Sequence, residues 1–386
     1  MGGADRGRLA AMRATTTALT FAALVLGAAP AAAGPEAHLF RVDARASPTI
    51  TTVIEVSLPR RIADVTASCA RLTGNAQLDC LGDTLERPLA LAAPLPFPAQ
   101  NALFTVAFGR SDSPLTFESS ARWGDSGALA GVGTAWLVLV DASAAAAPRL
   151  ADAREIAQAF VDSLRPGDVA NVVFFDEAGV SSASRWSGDK ARASHALGQA
   201  PSPDASRGPK KPLAEVIKAA ANEAYADLFS SGVAAPLHQA MVLLSAGAPG
   251  EASGRAGAAA IRESLSRGRF GGSPRMPVPV ISVWLPSGSA PPREARDLME
   301  GVASPDLGGF FTAVRAGRKG RGPNIVSAVR ARFDNMVLVR WKLTCSLFGR
   351  TQSWKLAFQN TTPPVAGDAS FTDAPFNAPP PGPCKK

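Results

Sequence analysis

The sequence predicts an α/β fold: a doubly wound, mostly parallel sheet with an adjoining β-sandwich. Three observations predict it. Continuous apolar runs of strand length end at Asp141 (LVLVD), Asp176 (ANVVFFD) and Ser245 (MVLLS), as expected for strands buried on both faces. Segments with helical spacing of apolar residues lie between them. Before and after this stretch, short β-branched-rich segments alternate with Pro, Gly, Ser and Asp.

The elements follow in order. Residues 1–33 read as a signal peptide. Arg6, Arg8 and Arg13 form a basic region, Ala18 to Gly27 an apolar one, and Ala31-Ala32-Ala33 a small-residue cleavage site. Met12 serves as a start as well as Met1 does. The expectation is export, to the periplasm or the exterior. No later apolar run approaches the roughly 18 residues that span a bilayer, so no membrane span is expected in the mature chain.

Residues 34–130 read as a β-sandwich-like domain. Its strands are HLFRVDA, TITTVIEVSL, ALFTVAFGR and LTFESSARW, with no helix among them and LAAPLPFPAQ as a linker or edge. Residues 131–333 alternate strand and helix. After TAWLVLVD come a helix from Leu150 to Leu164, the strand ANVVFFD and a helix from Leu213 to Phe229. The strand QAMVLLSAG, the helix AGAAAIRESLSRG, the strand VPVISVWLP and the helix REARDLMEGV follow, then GGFFTAV and NIVSAVRARF. Residues 334–360 read as a hairpin turning around Phe348-Gly349-Arg350 and completing the sandwich. Residues 361–386 are Pro-rich and read as a flexible tail.

Composition excludes several functions. Of 386 residues 46% are hydrophobic and 19% charged, which suits a globular protein. The net charge of +8 is scattered, with small clusters at Lys210-Lys211 and at Arg315, Arg318, Lys319 and Arg321. These lack aromatic stacking platforms, so a solvated surface is expected rather than a nucleic-acid site. Weak attraction to anionic cell-envelope surfaces is compatible with that charge. Cys69, Cys80, Cys345 and Cys384 allow three pairings in an exported chain. Cys69 with Cys80 is the most economical, and Cys345 with Cys384 would then tie down the tail. There is no CxxC, and His38, His195 and His238 are far apart, so neither zinc nor another cofactor is expected. Gly124-Asp125-Ser126-Gly127 matches a serine-protease nucleophile motif, but the sole upstream histidine, His38, lacks the usual context. The motif reads as a turn, and a serine hydrolase stays a minor alternative.

Several signals occur in a telling order. A buried strand ends in Asp-x-Ser (Asp141, Ser143), and Leu164-Arg165-Pro166-Gly167-Asp168 leads into VVFFD. PLAEVIKAA, VLLSAGAPG and DLGGFFTAV follow. In this order, over about residues 134 to 333, the chain resembles a von Willebrand factor A domain of bacterial exported type, some members of which carry an adjoining sandwich. The resemblance implies a metal-ion-dependent adhesion site, in which Asp-x-Ser-x-Ser, a threonine and a second aspartate hold a divalent cation. Asp141 and Ser143 match it. The second serine is Ala145, the threonine position aligns with Lys211, and the second aspartate aligns with Ala246. The expectation is a degenerate site without metal, whose Asp141, Ser143, Lys211 and Ser245 face a ligand. The resemblance implies a non-catalytic protein–protein binding or adhesion module with an unknown protein partner. The alternative is an inert spacer in an envelope assembly.

Overall fold

The computed structural model of the chain describes residues 34–43, 46, 48–59, 67–86, 92–108, 111–125, 132–201, 210–230, 236–247, 254–266, 278–288, 292–343, 352–367 and 371–373. The signal segment, Ser126, Cys345 and Cys384 lie outside them. The first strands are β1 (Glu36–Asp43) and β2 (Thr49–Pro59). The β-branched run TITTVIEV crowds a helix but fits a pleated surface. A helix then follows, α1 (Gly74–Leu85), where the sequence promised none. Its buried residues Leu78, Leu81 and Leu85 recur at i, i+3 and i+7, a narrow apolar stripe. Gly74, Gly82, Asp79 and Asp83 between them mimic loop punctuation, which hid it. Cys69 and Cys80 form a disulfide with Cα atoms 5.6 Å apart, the economical pairing, and tie α1 to the turn before it. Strands β3 (Ala92–Pro94), β4 (Ala102–Phe108), β5 (Ser111–Pro114) and β6 (Thr116–Arg122) follow.

The central region contains β7 (Thr134–Asp141), α2 (Leu150–Asp162), β8 (Val169–Asp176), β9 (Gly179–Ala183), α3 (Lys190–Gly198), α4 (Leu213–Ser230), β10 (His238–Ser245), α5 (Gly254–Ser266), β11 (Val280–Trp284), α6 (Arg293–Val302), β12 (Phe310–Ala313) and α7 (Gly322–Phe333). The short polar strand β9 and the helix α3 were not read from sequence. The six strands are ordered β12-β11-β10-β7-β8-β9. All neighbours are parallel except β9, which runs antiparallel at the edge. The chain begins mid-sheet, builds outward to β9, then returns to β10 on the other side of β7. That reversal is the doubly wound arrangement, with its switch point between β7 and β10. Every residue of β7, β8, β10 and β11 is buried. α2 packs with α3 and α7, and α4, α5 and α6 pack in a row, giving the sheet its two layers.

α1 packs on the edge strand β12. At Gly82 a β-carbon would stand 2.7 Å from the Ala313 carbonyl oxygen, so only glycine permits this approach. The basic cluster expected as solvated surface is in large part the clasp for this helix. Arg315 and Arg318 each place Nε 3.0 Å from Asp79, and Arg321 places Nη2 2.6 Å from Glu86. A covered edge does not template pairing with other chains.

The last strands are β13 (Val337–Lys342), β14 (Gln352–Phe358) and β15 (Phe371–Asp373). The expected hairpin is corrected here: β13 pairs with β2 and β6, whereas β14 pairs with β4 and β15. Two antiparallel sheets result, β1-β2-β13-β6 with β3 on β2, and β15-β14-β4-β5. Ile54, Val339 and Trp341 of the first share one apolar cluster with Phe104, Trp354 and Leu356 of the second. Phe104 lies 5.3 Å from both tryptophans, so the two strands feed one core from opposite sheets. The tail is corrected over residues 361–367, and residues 368–370 and 374–386 lie outside the described residues. The Ala37 N–H donates to Ala366 O at 2.8 Å, the Ala366 N–H to Pro35 O at 3.0 Å, and Val365 packs against the apolar cluster. Backbone partners at the start of β1 and just before it thus hold the chain at Ala366.

Candidate functional site

β7 and β10 run side by side with Val140 opposite Leu244, so Asp141 and Ser245 emerge together at the C-terminal edge of the sheet. This edge, at the switch point, is where open α/β sheets bind ligands. One carboxylate oxygen of Asp141, Oδ1, accepts the Ser143 N–H at 3.0 Å; the other, Oδ2, accepts the Ser245 hydroxyl at 2.5 Å. The Ser245 oxygen in turn accepts the Gly247 N–H at 2.9 Å, and the Ser143 hydroxyl oxygen accepts the Ala146 N–H at 3.3 Å. All three side chains are buried. Burial pushes the Asp141 carboxyl above its ordinary range, and the hydrogen bonds from Ser245 and Ser143 pull the other way.

Three of the four residues read from sequence therefore meet: Asp141, Ser143 and Ser245. Lys211 does not join them. It is exposed, and its backbone N–H donates to Glu177 O at 2.7 Å. Its neighbour Lys210 pairs with the Glu177 carboxylate at 2.8 Å. Asp176 is buried; its Oδ1 accepts the N–H groups of Ala178 (2.8 Å) and Gly179 (3.2 Å), turning the chain into β9.

A divalent cation of the Mg²⁺ kind needs several hard oxygen ligands. Ala145 and Ala246 supply no side-chain oxygen, and Lys211 carries an ammonium group. Each oxygen of Asp141 already accepts one protein donor, which leaves this single carboxylate as the only anionic oxygen ligand among the matched positions. This donor set does not fit a dedicated metal. Among the described residues no group of three or more His, Cys, Asp or Glu side chains is placed to hold one.

Arg149 escaped the sequence reading. Its buried guanidinium donates to Pro286 O, to Val314 O at 2.8 Å and to Asp152 at 2.8 Å. It thereby ties the loop after β7 to the segments after β11 and β12. Ser287 adds a hydrogen bond to Ala145 O at 3.2 Å. Asp168, quoted in the Arg-Pro-Gly-Asp signal, works at the opposite edge. It accepts from the Thr134 N–H (2.8 Å), the Arg165 N–H (3.0 Å), the Trp136 indole (3.3 Å) and Arg330 (2.9 Å). His38 lies on β1, 3.4 Å from Glu36, and Ser126 falls outside the described residues. No helix among those residues is long and apolar enough to cross a membrane.

No protein-family model matches the chain, and no curated protein matches it. Solved structures show likenesses. One is the vWF domain of the type V pili tip protein Mfa5 from Porphyromonas gingivalis, at 16% identity and TM-score 0.24, covering 30% of this chain and 38% of that one. Manganese-loaded TRAP protein of Plasmodium vivax is similar at 13% identity and TM-score 0.34, over 69% of this chain and 98% of that one. The ArnB paralog VWA2 of Sulfolobus acidocaldarius is similar at 9% identity and TM-score 0.30, over 89% and 75%. The match spans well under two thirds of the pilus-tip chain. With all three scores below 0.5, the fold rests on the strand order itself.

Proposed function

We propose that this chain is an exported, non-catalytic protein-binding module, built on a von Willebrand factor A-like domain that has lost its metal site and on a β-sandwich formed by the two antiparallel sheets. The observation that carries the reading is the closure of the Asp141 carboxylate by Ser143 and Ser245 at the switch-point edge. A carboxylate so engaged serves as a strut for the surrounding loops, which then offer a fixed surface to a partner. The basic, apolar and small-residue pattern of the first 33 residues supports export, and the Cys69–Cys80 disulfide suits an oxidising compartment. Small side chains at Ala144, Ala145 and Ala147 favour a second reading, an inert spacer, because they leave the loop few anchors.

A thermal melt with Mg²⁺ or Mn²⁺ tests the site. No shift is expected, and a rise of several degrees at sub-millimolar metal would overturn the reading. Recovery of a partner from envelope extract, with Lys211→Glu and Ala144→Arg as exposed loop variants, tests the binding role. Both variants are expected to lose the partner that the unaltered protein recovers. Unchanged recovery by both moves the contact away from this edge.

A further inference from the structure

Between α5 and α6 lies a groove of about 610 Å³ whose walls carry four arginines and two carboxylates. The helices approach closely there: a β-carbon on Gly301 would stand 2.9 Å from Ala258 Cβ, so the floor is made of small residues. Arg262 and Arg296 are committed within the protein. The first donates to Gly301 O, and the second places Nε 3.0 Å from Glu300. Arg255 and Arg293 stand differently. Both turn to the same oxygen of Asp297, at 3.3 Å and 3.9 Å, while their side chains are 75% and 79% exposed. One carboxylate divided between two guanidinium groups leaves surplus positive charge and unspent donors at the mouth of the groove.

We propose that this groove binds an acidic peptide segment of a protein partner. The two Nε atoms sit within about 7 Å of each other, since each lies beside Asp297 Oδ2. Carboxylates on alternate residues of an extended chain are spaced by about 6.5–7 Å. Arg255 and Arg262, seven residues apart on α5, extend the positive wall over about 10 Å. A single inorganic anion would leave most of that length unfilled, whereas a short acidic segment runs along it, each planar carboxylate matched to a guanidinium fork. Its residues are distinct from Asp141, Ser143 and Ser245, and its α6 wall meets the same edge where Ala295 packs against Gly247 of the loop after β10.

The test is fluorescence anisotropy on the full mature chain, with a labelled peptide bearing Glu at alternate positions and a second in which Gln replaces each Glu. The acidic peptide is expected to bind at least about tenfold more tightly than its Gln counterpart. Arg255→Glu with Arg293→Glu is expected to erase that preference, and Arg255→Gln with Arg293→Gln to weaken it without reversing charge. Arg192→Glu with Lys355→Glu makes the same change in net charge elsewhere, on exposed positions, and is expected to leave binding within about twofold. Equal binding of the two peptides overturns the proposal. So does equal loss in the control pair, or displacement by inorganic phosphate or a short DNA at the peptide's own concentration.

Discussion

The hydroxyl of Ser245 donates to Oδ2 of Asp141 at 2.5 Å, joining the C-terminal ends of β10 and β7 where the chain changes direction across the sheet. Ser245→Ala leaves the buried carboxylate with its Ser143 contact and one fewer donor. A loss of about 1–3 kcal/mol is expected in urea unfolding. Asp141→Asn behaves differently. Because burial raises the carboxyl above its ordinary 3.8, its contribution is present below that value and is lost as pH rises through the raised one. At neutral pH the neutral amide therefore matches or exceeds the unaltered protein, while Asp141→Ala loses stability. If the Asn and Ala variants fall equally, the buried charge is not what strains this site.

Arg332 and Glu55 make a buried two-pronged ion pair, Nε to Oε1 at 2.8 Å and Nη2 to Oε2 at 2.7 Å, linking α7 to β2. The same guanidinium donates to Gly309 O at 2.7 Å and Pro305 O at 2.9 Å. Arg332→Met strands an uncompensated carboxylate and is expected to lose about 3–5 kcal/mol in urea unfolding. Adding Glu55→Leu is expected to restore much of that. Arg332→Lys, a point charge with one nitrogen, cannot serve acceptors in several directions and should fall well short of the arginine. A double variant no more stable than Arg332→Met alone would show that the pair's carboxylate is not the source of the loss.

The α/β core was legible because its strands are buried on both faces, so LVLVD and MVLLS appear as unbroken apolar runs whatever their neighbours. α1 was not, because its stripe faces β12 and its charged residues answer arginines more than 230 positions away. Strand pairing was legible as strand character but not as partnership: Trp341 and Trp354 read as one hairpin, yet they face each other's sheet across Phe104. At the site, Asp141 and Ser143 could be found because a strand end followed by Asp-x-Ser is a local pattern. Arg149 could not, since its acceptors are backbone carbonyls of Pro286 and Val314, invisible in side-chain chemistry. Lys211 was placed beside Asp141 by alignment alone, and a lysine's preference for water carries it outward.

Glu86 sits under α1 with its side chain buried, 2.6 Å from Arg321 Nη2 and 3.3 Å from Thr312 Oγ1. Burial raises its carboxyl from 4.5 to about 7, with Arg321 and Thr312 opposing. The folded value lies above the unfolded one, so this group's contribution is present below pH 4.5 and lost as pH rises through about 7. Glu86→Gln is expected to remove that dependence and to hold α1 in place at neutral pH. Proteolysis between residues 60 and 90 would report a freed α1. Faster cleavage of Glu86→Gln than of the unaltered protein at pH 7.5 would mean that the ion pair with Arg321, rather than neutral burial, secures the helix.

His238 opposes Glu86 over a shared range of pH. It opens β10 fully buried among Phe333 (5.0 Å), Trp123 (5.9 Å) and Phe40 (6.2 Å), measured between ring centroids. Burial, aided by the charge of Arg41, lowers the imidazole from 6.5 to about 3. The unfolded chain therefore takes up a proton that the folded one refuses, and stability falls as pH drops from 6.5 toward 3 by about 1.4 kcal/mol per unit. Between pH 4.5 and 6.5 Glu86 gives a slope of similar size and opposite sign. For these two groups the slopes offset each other, which single variants expose. Relative to the unaltered protein, Glu86→Gln should gain stability as pH rises from 4.5 to 6.5, His238→Leu should lose it, and the double variant should run parallel to it. Urea unfolding at half-unit steps of pH measures all three. Parallel curves for the two single variants would show that neither residue titrates in this window.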